Sequence, residues 1–124
     1  MNIPDNLHYT NNHEWVKIDN GIATIGISDY AQSELGDIIF IEFSNIGVNC
    51  NAGDTIGTIE AVKTVADFYS PIKGRIAAIN NKLEDSPNSV NSNPYDEGWI
   101  IKLDSFGKDQ MALLSAREYE KLIQ

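Results

Sequence analysis

Residues 57–72 have the sequence Gly-Thr-Ile-Glu-Ala-Val-Lys-Thr-Val-Ala-Asp-Phe-Tyr-Ser-Pro-Ile, in which Lys63 stands between two runs of strand-forming residues. The β-branched and aromatic side chains on both sides of this lysine favour a pleated surface and predict a β-hairpin with Lys63 near its tip. A lysine at a tight tip extends on a flexible stem, where a modifying enzyme can reach its amine. Because a protonated amine is a poor nucleophile, this geometry suits a carrier better than a catalyst.

Strands are predicted along most of the remaining chain, at residues 14–18, 22–27, 37–43, 74–79 and 99–103. Asp19-Asn20-Gly21 is a turn signal that joins the first two of these strands into a hairpin. The strand at 37–43 is expected to be buried over much of its length because it is almost continuously apolar. Residues 80–93 predict a polar surface loop that is anchored by Leu83 and Val90.

Two short helices are predicted outside the strands. Ser28 is a capping residue for a helix near residues 28–35, and Ser115 is a capping residue for an amphipathic helix near residues 115–123. Both helices are expected to pack on the sheets. The side chains expected to face the core are Tyr30, Ala31, Leu35, Ala116, Tyr119, Leu122 and Ile123.

The composition restricts the classes of partner. The 124 residues are enough for one domain, residues 1–124, and eighteen acidic residues against nine basic ones give a net charge of −9. This charge repels phosphate backbones and anionic membrane surfaces, so we expect neither nucleic acid nor membrane as a partner. The first residues lack the basic and apolar regions of a signal peptide, which predicts a cytoplasmic protein. Cys50 is the only cysteine and is expected to pack or to lie idle in a loop.

A set of sequence fragments resembles the glycine cleavage H-protein family in order and spacing. The fragments are residues 60–67 (Glu-Ala-Val-Lys-Thr-Val-Ala-Asp) with 70–74, 13–16 (His-Glu-Trp-Val), 26–32 (Gly-Ile-Ser-Asp-Tyr-Ala-Gln), 35–38 (Leu-Gly-Asp-Ile), 83–87 (Leu-Glu-Asp-Ser-Pro) and 90–99 (Val-Asn-Ser-Asn-Pro-Tyr-Asp-Glu-Gly-Trp). Together they cover nearly the whole chain. The resemblance implies an all-β fold, a barrel-sandwich hybrid of two small antiparallel sheets of the lipoyl/biotinyl-carrier type.

The resemblance also implies a function, a cofactor and a set of partners. Lys63 would carry an amide-linked lipoyl group, attached by a lipoyl-transferring enzyme. The arm would receive an aminomethyl group from glycine decarboxylase, pass it to a tetrahydrofolate-dependent aminomethyltransferase and be reoxidised by dihydrolipoyl dehydrogenase. Such a chain is a non-catalytic carrier, and we expect a monomer that is cytoplasmic in a bacterium or lies in the mitochondrial matrix if the chain is a mature eukaryotic one.

Two acidic residues are candidates for holding the loaded arm. The resemblance places Glu14 and Asp67 near the path of the arm, where a carboxylate could accept a charge-assisted hydrogen bond from the protonated amine. A solvated strand residue is an equally good interpretation of Glu14. The family often has a histidine at the position of Glu34, so one contact of the arm differs in this chain.

Several alternatives remain. Biotin carriers usually flank their lysine with methionines, whereas Val62 and Thr64 flank Lys63 here, and lipoyl domains of 2-oxo acid dehydrogenases commonly have an aspartate before the lysine. An H-like protein that relays lipoyl groups to other enzymes, or an assembly adaptor, would share most of the sequence features. An enzyme is disfavoured because no nucleophile with a paired base is evident.

His8 and His13 lack a third ligand for a metal, and hydrogen bonding near the first strand is the preferred interpretation.

Overall fold

The computed structural model describes residues 1–106 and 112–124 of the chain. The strands in these ranges are β1 (His8–Tyr9), β2 (Glu14–Asp19), β3 (Ile22–Ile27), β4 (Ile38–Phe43), β5 (Asn49–Cys50), β6 (Thr55–Ala61), β7 (Val65–Tyr69), β8 (Gly74–Ile79) and β9 (Ile101–Asp104). The helices are α1 (Asp29–Leu35), α2 (Lys82–Asp85), α3 (Ser89–Ser92) and α4 (Ala116–Leu122). No helix in the described ranges is long and apolar enough to cross a membrane.

The strands form two antiparallel sheets, as the predicted all-β fold requires. One sheet has six strands in the order β1-β2-β3-β9-β8-β5, and the other has three strands in the order β4-β6-β7. The hairpin predicted from residues 57–72 is β6 and β7, which form part of the smaller sheet. The larger sheet contains the hairpin predicted around the Asp-Asn-Gly turn, in which Glu14 of β2 pairs with Ile27 of β3.

The main core lies between the two sheets. Ile25 and Ile101 of the larger sheet and Ile41 and Ile59 of the smaller sheet belong to one cluster of buried aliphatic side chains. Phe68 of β7 is 1% exposed in the same cluster. Burial of these side chains is the main stabilising term, because each is worth about 1.5–3 kcal/mol when it is removed from water.

A second, aromatic cluster joins α4 to the edge of the larger sheet. The rings of Tyr9 and Tyr119 are stacked with their centroids 4.6 Å apart, and Trp15 packs in the same cluster. The indole N–H of Trp15 donates to the carbonyl oxygen of Pro94 at 3.0 Å. Trp15 is therefore a buried anchor of this cluster, whereas Trp99 is only partly buried and packs against it.

Both predicted capping serines begin their helices. Ser28 accepts a hydrogen bond from the backbone of Ala31 at the start of α1, and Ser115 forms a capping box with Glu118 at the start of α4. Ala116 and Tyr119 face the core as expected. Ala31 and Leu35 pack against the main core and Ile123 packs against the aromatic cluster, as expected, although all three are only partly buried. The predictions for Leu122 and Tyr30 are too strong, because Leu122 is exposed and Tyr30 is only partly buried.

Two predictions about burial and loops need correction. The strand at residues 37–43 is not buried over much of its length, since Ile39 and Phe40 are 50% and 52% exposed. Only Ile38 and Ile41 of β4 are buried, and Phe43 packs against the core with partial exposure. The reason is that the outward face of the smaller sheet is uncovered, because Phe40 and its rung partners Glu60 and Val65 are all exposed. The predicted loop at 80–93 contains the one-turn helices α2 and α3, although its two predicted anchors are buried as expected.

Candidate functional site

Lys63 lies at the bend between β6 and β7. The backbone N–H of Ala61 donates to the carbonyl oxygen of Thr64 at 2.8 Å, which closes the turn, and Glu60 pairs with Val65 at the last rung of the ladder. Lys63 is exposed, and within residues 1–106 and 112–124 no acidic oxygen lies within 4.0 Å of its amine. The predicted hairpin tip is confirmed, and its lysine is accessible to a modifying enzyme.

Strand β4 supports this tip from one side. The N–H of Val62 donates to the carbonyl oxygen of Asp37 at 3.1 Å, and Ile38 pairs with Ala61. Because the turn is bonded both to itself and to a neighbouring strand, its backbone is held firmly while the lysine side chain remains mobile on its own stem. A covalently attached group would therefore have a fixed root and a flexible arm.

A cleft of about 250 Å³ opens between this hairpin and helix α1. Its lining residues are Asn12, His13, Glu14, Ile27, Tyr30, Ala31, Glu34, Leu35, Ile59, Ala66 and Asp67. Ile59 and Ala66 face each other across the hairpin. Ala66 is three residues beyond Lys63, which corresponds to roughly 10 Å along a strand. An arm rooted at Lys63 has to extend only a short way along the hairpin to enter the cleft.

Glu14 is the buried acid of this cleft. Its side chain is 1% exposed, and its carboxylate accepts hydrogen bonds from the Thr10 hydroxyl at 2.6 Å and, more weakly, from the Tyr69 N–H at 3.5 Å. Burial raises the pKa of Glu14 from its ordinary 4.5 to about 7, against the opposing effect of these hydrogen bonds. The interpretation of Glu14 as a solvated strand residue is wrong, and the carboxyl is poised to ionise near neutral pH.

The charges in the cleft are all carboxyl groups. Asp67 and Glu34 are exposed residues that line it together with Glu14, whereas no described lining residue is a lysine or an arginine. In the described part of the chain no cationic nitrogen lies within 4.0 Å of the Glu14 carboxylate. A partly dry, acidic cleft of this kind favours a small cation, because Coulombic attraction is stronger where water is excluded.

His13 forms part of the wall beside Glu14. Its backbone has a φ of 69°, a left-handed conformation that is uncommon for residues other than glycine. The ring nitrogen Nδ1 lies 2.9 Å from the Tyr119 hydroxyl, which confirms the expected hydrogen-bonding role of His13. Burial lowers the pKa of His13, while the nearby charge of Glu34 opposes this shift. No group of three potential metal-binding side chains occurs among the residues that the structure describes.

Sequence reasoning identified one residue of the α1 wall, because the resemblance implies an arm contact at the position of Glu34, but it did not identify the rest of this wall. Tyr30 and Glu34 lie one helical turn apart, as do Ala31 and Leu35, so both pairs face the same general direction. This spacing was a usable signal. It did not indicate which surface the helix would cover, and the interpretation of Tyr30, Ala31 and Leu35 as core residues concealed their place in the cleft.

Comparisons with known proteins agree with this geometry. The family described as "Glycine cleavage H-protein" matches residues 7–124. The chain is 52% identical over 124 residues to the glycine cleavage system H protein of Listeria monocytogenes serotype 4a, with 99% of each chain covered. It is 53% identical over 122 residues to the corresponding protein of Listeria welshimeri, with 98% of each chain covered.

A solved structure has the same fold. The crystal structure of a glycine cleavage system H protein from Mycobacterium marinum superimposes with a TM-score of 0.90 at 32% sequence identity. The alignment covers 96% of this chain and 97% of the other. The chain therefore belongs to the glycine cleavage H-protein family and has the lipoyl-carrier role of that family in the glycine cleavage system.

Proposed function

We propose that Lys63 is the residue through which this chain performs its carrier role, by bearing an amide-linked lipoyl group. The observation that carries the proposal is the exposed position of Lys63 at a backbone-bonded hairpin tip. A lipoyl group supplies a dithiolane at the end of a long arm, one sulfur of which can carry an aminomethyl group between active sites. The tip fits this group because it fixes the root of the arm and leaves the amine accessible.

The partners proposed for the arm are glycine decarboxylase, the aminomethyltransferase, dihydrolipoyl dehydrogenase and a lipoyl-transferring enzyme. Membership in the family supports this set, and the net charge of −9 suits basic docking surfaces. Residues 1–124 are proposed to act as one monomeric, non-catalytic carrier domain, which is consistent with membership in a family of carrier components. The bacterial relatives support a cytoplasmic location.

The cleft is proposed to shelter the loaded end of the arm. Glu14 and Asp67 would accept hydrogen bonds from the protonated amine of the cargo, and the apolar side chains of Ile27 and Ile59 would exclude water from one side. The proposal is supported by the buried, cation-free carboxyl group of Glu14 in the described structure. Water attacks an aminomethyl thioether to give a thiol, formaldehyde and ammonia, so restricting water would lengthen the lifetime of the cargo.

The attachment site is tested by intact mass measurement after co-expression with a lipoyl ligase and added lipoate. We expect one lipoyl addition on the unchanged chain, the same addition on Lys73→Arg, and none on Lys63→Arg. Lys73 is a matched control because it is also exposed and lies just after the same hairpin. An addition that persists in Lys63→Arg would contradict the proposal. Glycine-dependent exchange with the partner decarboxylase then separates a shuttle from a protein that only relays lipoyl groups.

The shelter is tested with Glu14→Gln, which keeps the shape of the side chain and removes its charge. At about pH 8, where Glu14 is ionised, we expect the loaded variant to release formaldehyde about tenfold faster, the effect of one charge-assisted hydrogen bond. Glu42→Gln is the control, since it removes the same charge from an exposed position on β4 outside the cleft. Equal release rates for the two variants would remove Glu14 from the site.

A further inference from the structure

The Tyr119 hydroxyl connects helix α4 to both walls of the cleft. It lies 2.6 Å from the Ser28 hydroxyl and 2.9 Å from Nδ1 of His13, and Tyr119 is 0% exposed. Ser28 caps α1, which forms one wall, and His13 lies in the other wall. Tyr119 itself is not a lining residue of the cleft. Its hydroxyl is therefore placed to control the walls without contact with the cargo.

The direction of these hydrogen bonds follows from counting hydrogens. The Ser28 hydroxyl oxygen already accepts from the Ala31 N–H at 3.1 Å, so its own hydrogen needs an acceptor. Among the described residues the Tyr119 oxygen is the acceptor within reach of the Ser28 hydroxyl. Because Ser28 is 0% exposed, solvent water cannot accept this hydrogen bond. The reverse direction would leave a buried hydroxyl hydrogen unpaired, which is costly. Ser28 therefore donates to Tyr119, and Tyr119 donates to His13.

We propose that Tyr119 is a positioning residue of the cleft. The series of hydrogen bonds from Ser28 through Tyr119 to His13 fixes the His13 ring as the neutral tautomer with its proton on Nε2. An Nδ1 atom that accepts from a phenol cannot carry a hydrogen itself, so a neutral ring must be protonated at Nε2. The phenol can act as the donor at neutral pH because burial raises the pKa of Tyr119 to about 12. Burial also lowers the pKa of His13, which is consistent with a neutral ring.

The charge state of His13 matters for what the cleft can hold. The groups around the imidazole are Tyr30 and Glu34 of α1 and Tyr119 of α4, and Glu14 of β2 and Asp67 of β7 line the same cleft. A cationic imidazole among these carboxyl groups would compensate their charge and repel a protonated amine. A neutral imidazole leaves the negative charge of these carboxyl groups uncompensated. This consequence rests on the proposed function, whereas the tautomer of His13 does not.

The tautomer is tested by nitrogen NMR of the unmodified full chain with labelled histidine, at about pH 8, where an ordinary imidazole is neutral. We expect His13 to show an unprotonated Nδ1 and a protonated Nε2, and Tyr119→Phe to convert it to a mixture of both tautomers. Tyr9→Phe is the matched control, because it removes a hydroxyl from the same ring stack that donates to the Pro4 carbonyl oxygen instead. His8, an exposed histidine, serves as the internal reference.

A second variant guards against a folding defect in Tyr119→Phe. Ser28→Gly removes the other end of the chain of hydrogen bonds, and glycine is tolerated at a helix N-cap with little loss of stability. It should likewise give a mixture of tautomers while Tyr119 is intact. A His13 protonated at Nδ1 in the unchanged protein, or an unaltered tautomer in both variants, overturns the proposal.

The effect on the cargo is measured separately on the lipoylated protein. Tyr119→Phe should release formaldehyde about fivefold faster, the effect of one neutral hydrogen bond, while lipoyl addition at Lys63 is unchanged. An unchanged release rate with an altered tautomer overturns the role of Tyr119 in the cleft. Failure of Lys63 to accept a lipoyl group would refute the attachment site and leave the NMR result to decide the tautomer on its own.

Discussion

The hairpin tip and the cleft have different roles, and they are built from different parts of the chain. The tip is largely local, since residues 60–65 form it with one turn hydrogen bond and one paired rung, and one further hydrogen bond joins Val62 to Asp37. The cleft is assembled from the segment before β2, from β2, β3 and α1, and from both strands of the hairpin. The comparison teaches that an attachment point needs a turn and one neighbouring strand, whereas a shelter needs several elements held in a fixed arrangement.

The two regions also differ in their effect on the stability of the fold. The tip buries no charge, and its largest apolar side chains, Val62 and Val65, are 67% and 60% exposed. The cleft buries the carboxyl of Glu14, whose pKa is raised by loss of hydration. Burial of the Glu14 carboxyl therefore lowers the stability of the fold, and the same burial creates a site that accepts a cation.

The largest effect expected from this contrast is a pH-dependent one at Glu14. The native pKa of about 7 lies above the ordinary value of 4.5, so the native state holds a proton that the unfolded state has lost between these values. The stabilising contribution of the protonated carboxyl is fully present below about pH 4.5 and is lost as the pH rises through about 7. We therefore expect stability to fall over this window because of Glu14.

Glu14→Gln isolates this contribution, because the amide cannot ionise. Relative to the unchanged chain, the variant should gain about 2.5 kcal/mol in free energy of unfolding between about pH 5 and about pH 8. Urea denaturation at the two pH values measures the gain. The exposed control Glu42→Gln should show no comparable change. Parallel pH profiles for Glu14→Gln and the unchanged chain would show that the carboxyl is not held in a dry site.

A smaller effect is expected at Gly26 of β3, which precedes the cleft residue Ile27 and lies against the Trp15 ring. A Cβ atom at this position would stand 2.7 Å from the Trp15 ring, whose indole N–H is fixed on the Pro94 carbonyl oxygen. Gly26→Ala should therefore lower the free energy of unfolding by about 2 kcal/mol through overpacking. The urea midpoint with an unchanged slope measures this loss. A neutral result would mean that the ring moves aside freely.

The smallest effect is expected at the tip itself. The Thr64 side chain is exposed, and only its backbone carbonyl oxygen closes the turn, so Thr64→Ala should change the free energy of unfolding by less than about 0.5 kcal/mol. The same urea measurement applies. A loss as large as that of Gly26→Ala would break the distinction between a local tip and a structurally supported cleft.

Much of the local structure was predictable from short-range patterns. The lysine between two β-branched runs predicted the β6–β7 hairpin, and the serine caps predicted where α1 and α4 begin. These signals are reliable because turns and caps depend on hydrogen bonds between residues close in sequence. The assignment of Glu14 and Asp67 to a common site came from resemblance to a family, and the structure places both in the lining of one cleft.

Burial was less predictable because it depends on which elements cover each face. A solvated strand residue was an equally good interpretation of Glu14, but Glu14, Trp15 and Val16 are all buried. Val16 packs in the main core, and Trp15 packs on the other face of β2 in the aromatic cluster with α4. The apolar run of β4 suggested a strand that is buried over much of its length, yet Ile39 and Phe40 are half exposed. Neither outcome can be read from one segment alone.

The sequence by itself determined the hairpin, its lysine, the helix caps and the acidic charge, because each depends on residue type and near neighbours. Tertiary structure alone decided that Glu14 would be buried without a cation in the described ranges, and that Tyr119 would meet His13 across a separation of 106 residues. The physical reason is that hydration and hydrogen-bond partners depend on packing between distant segments, and packing sets the charge of the cleft.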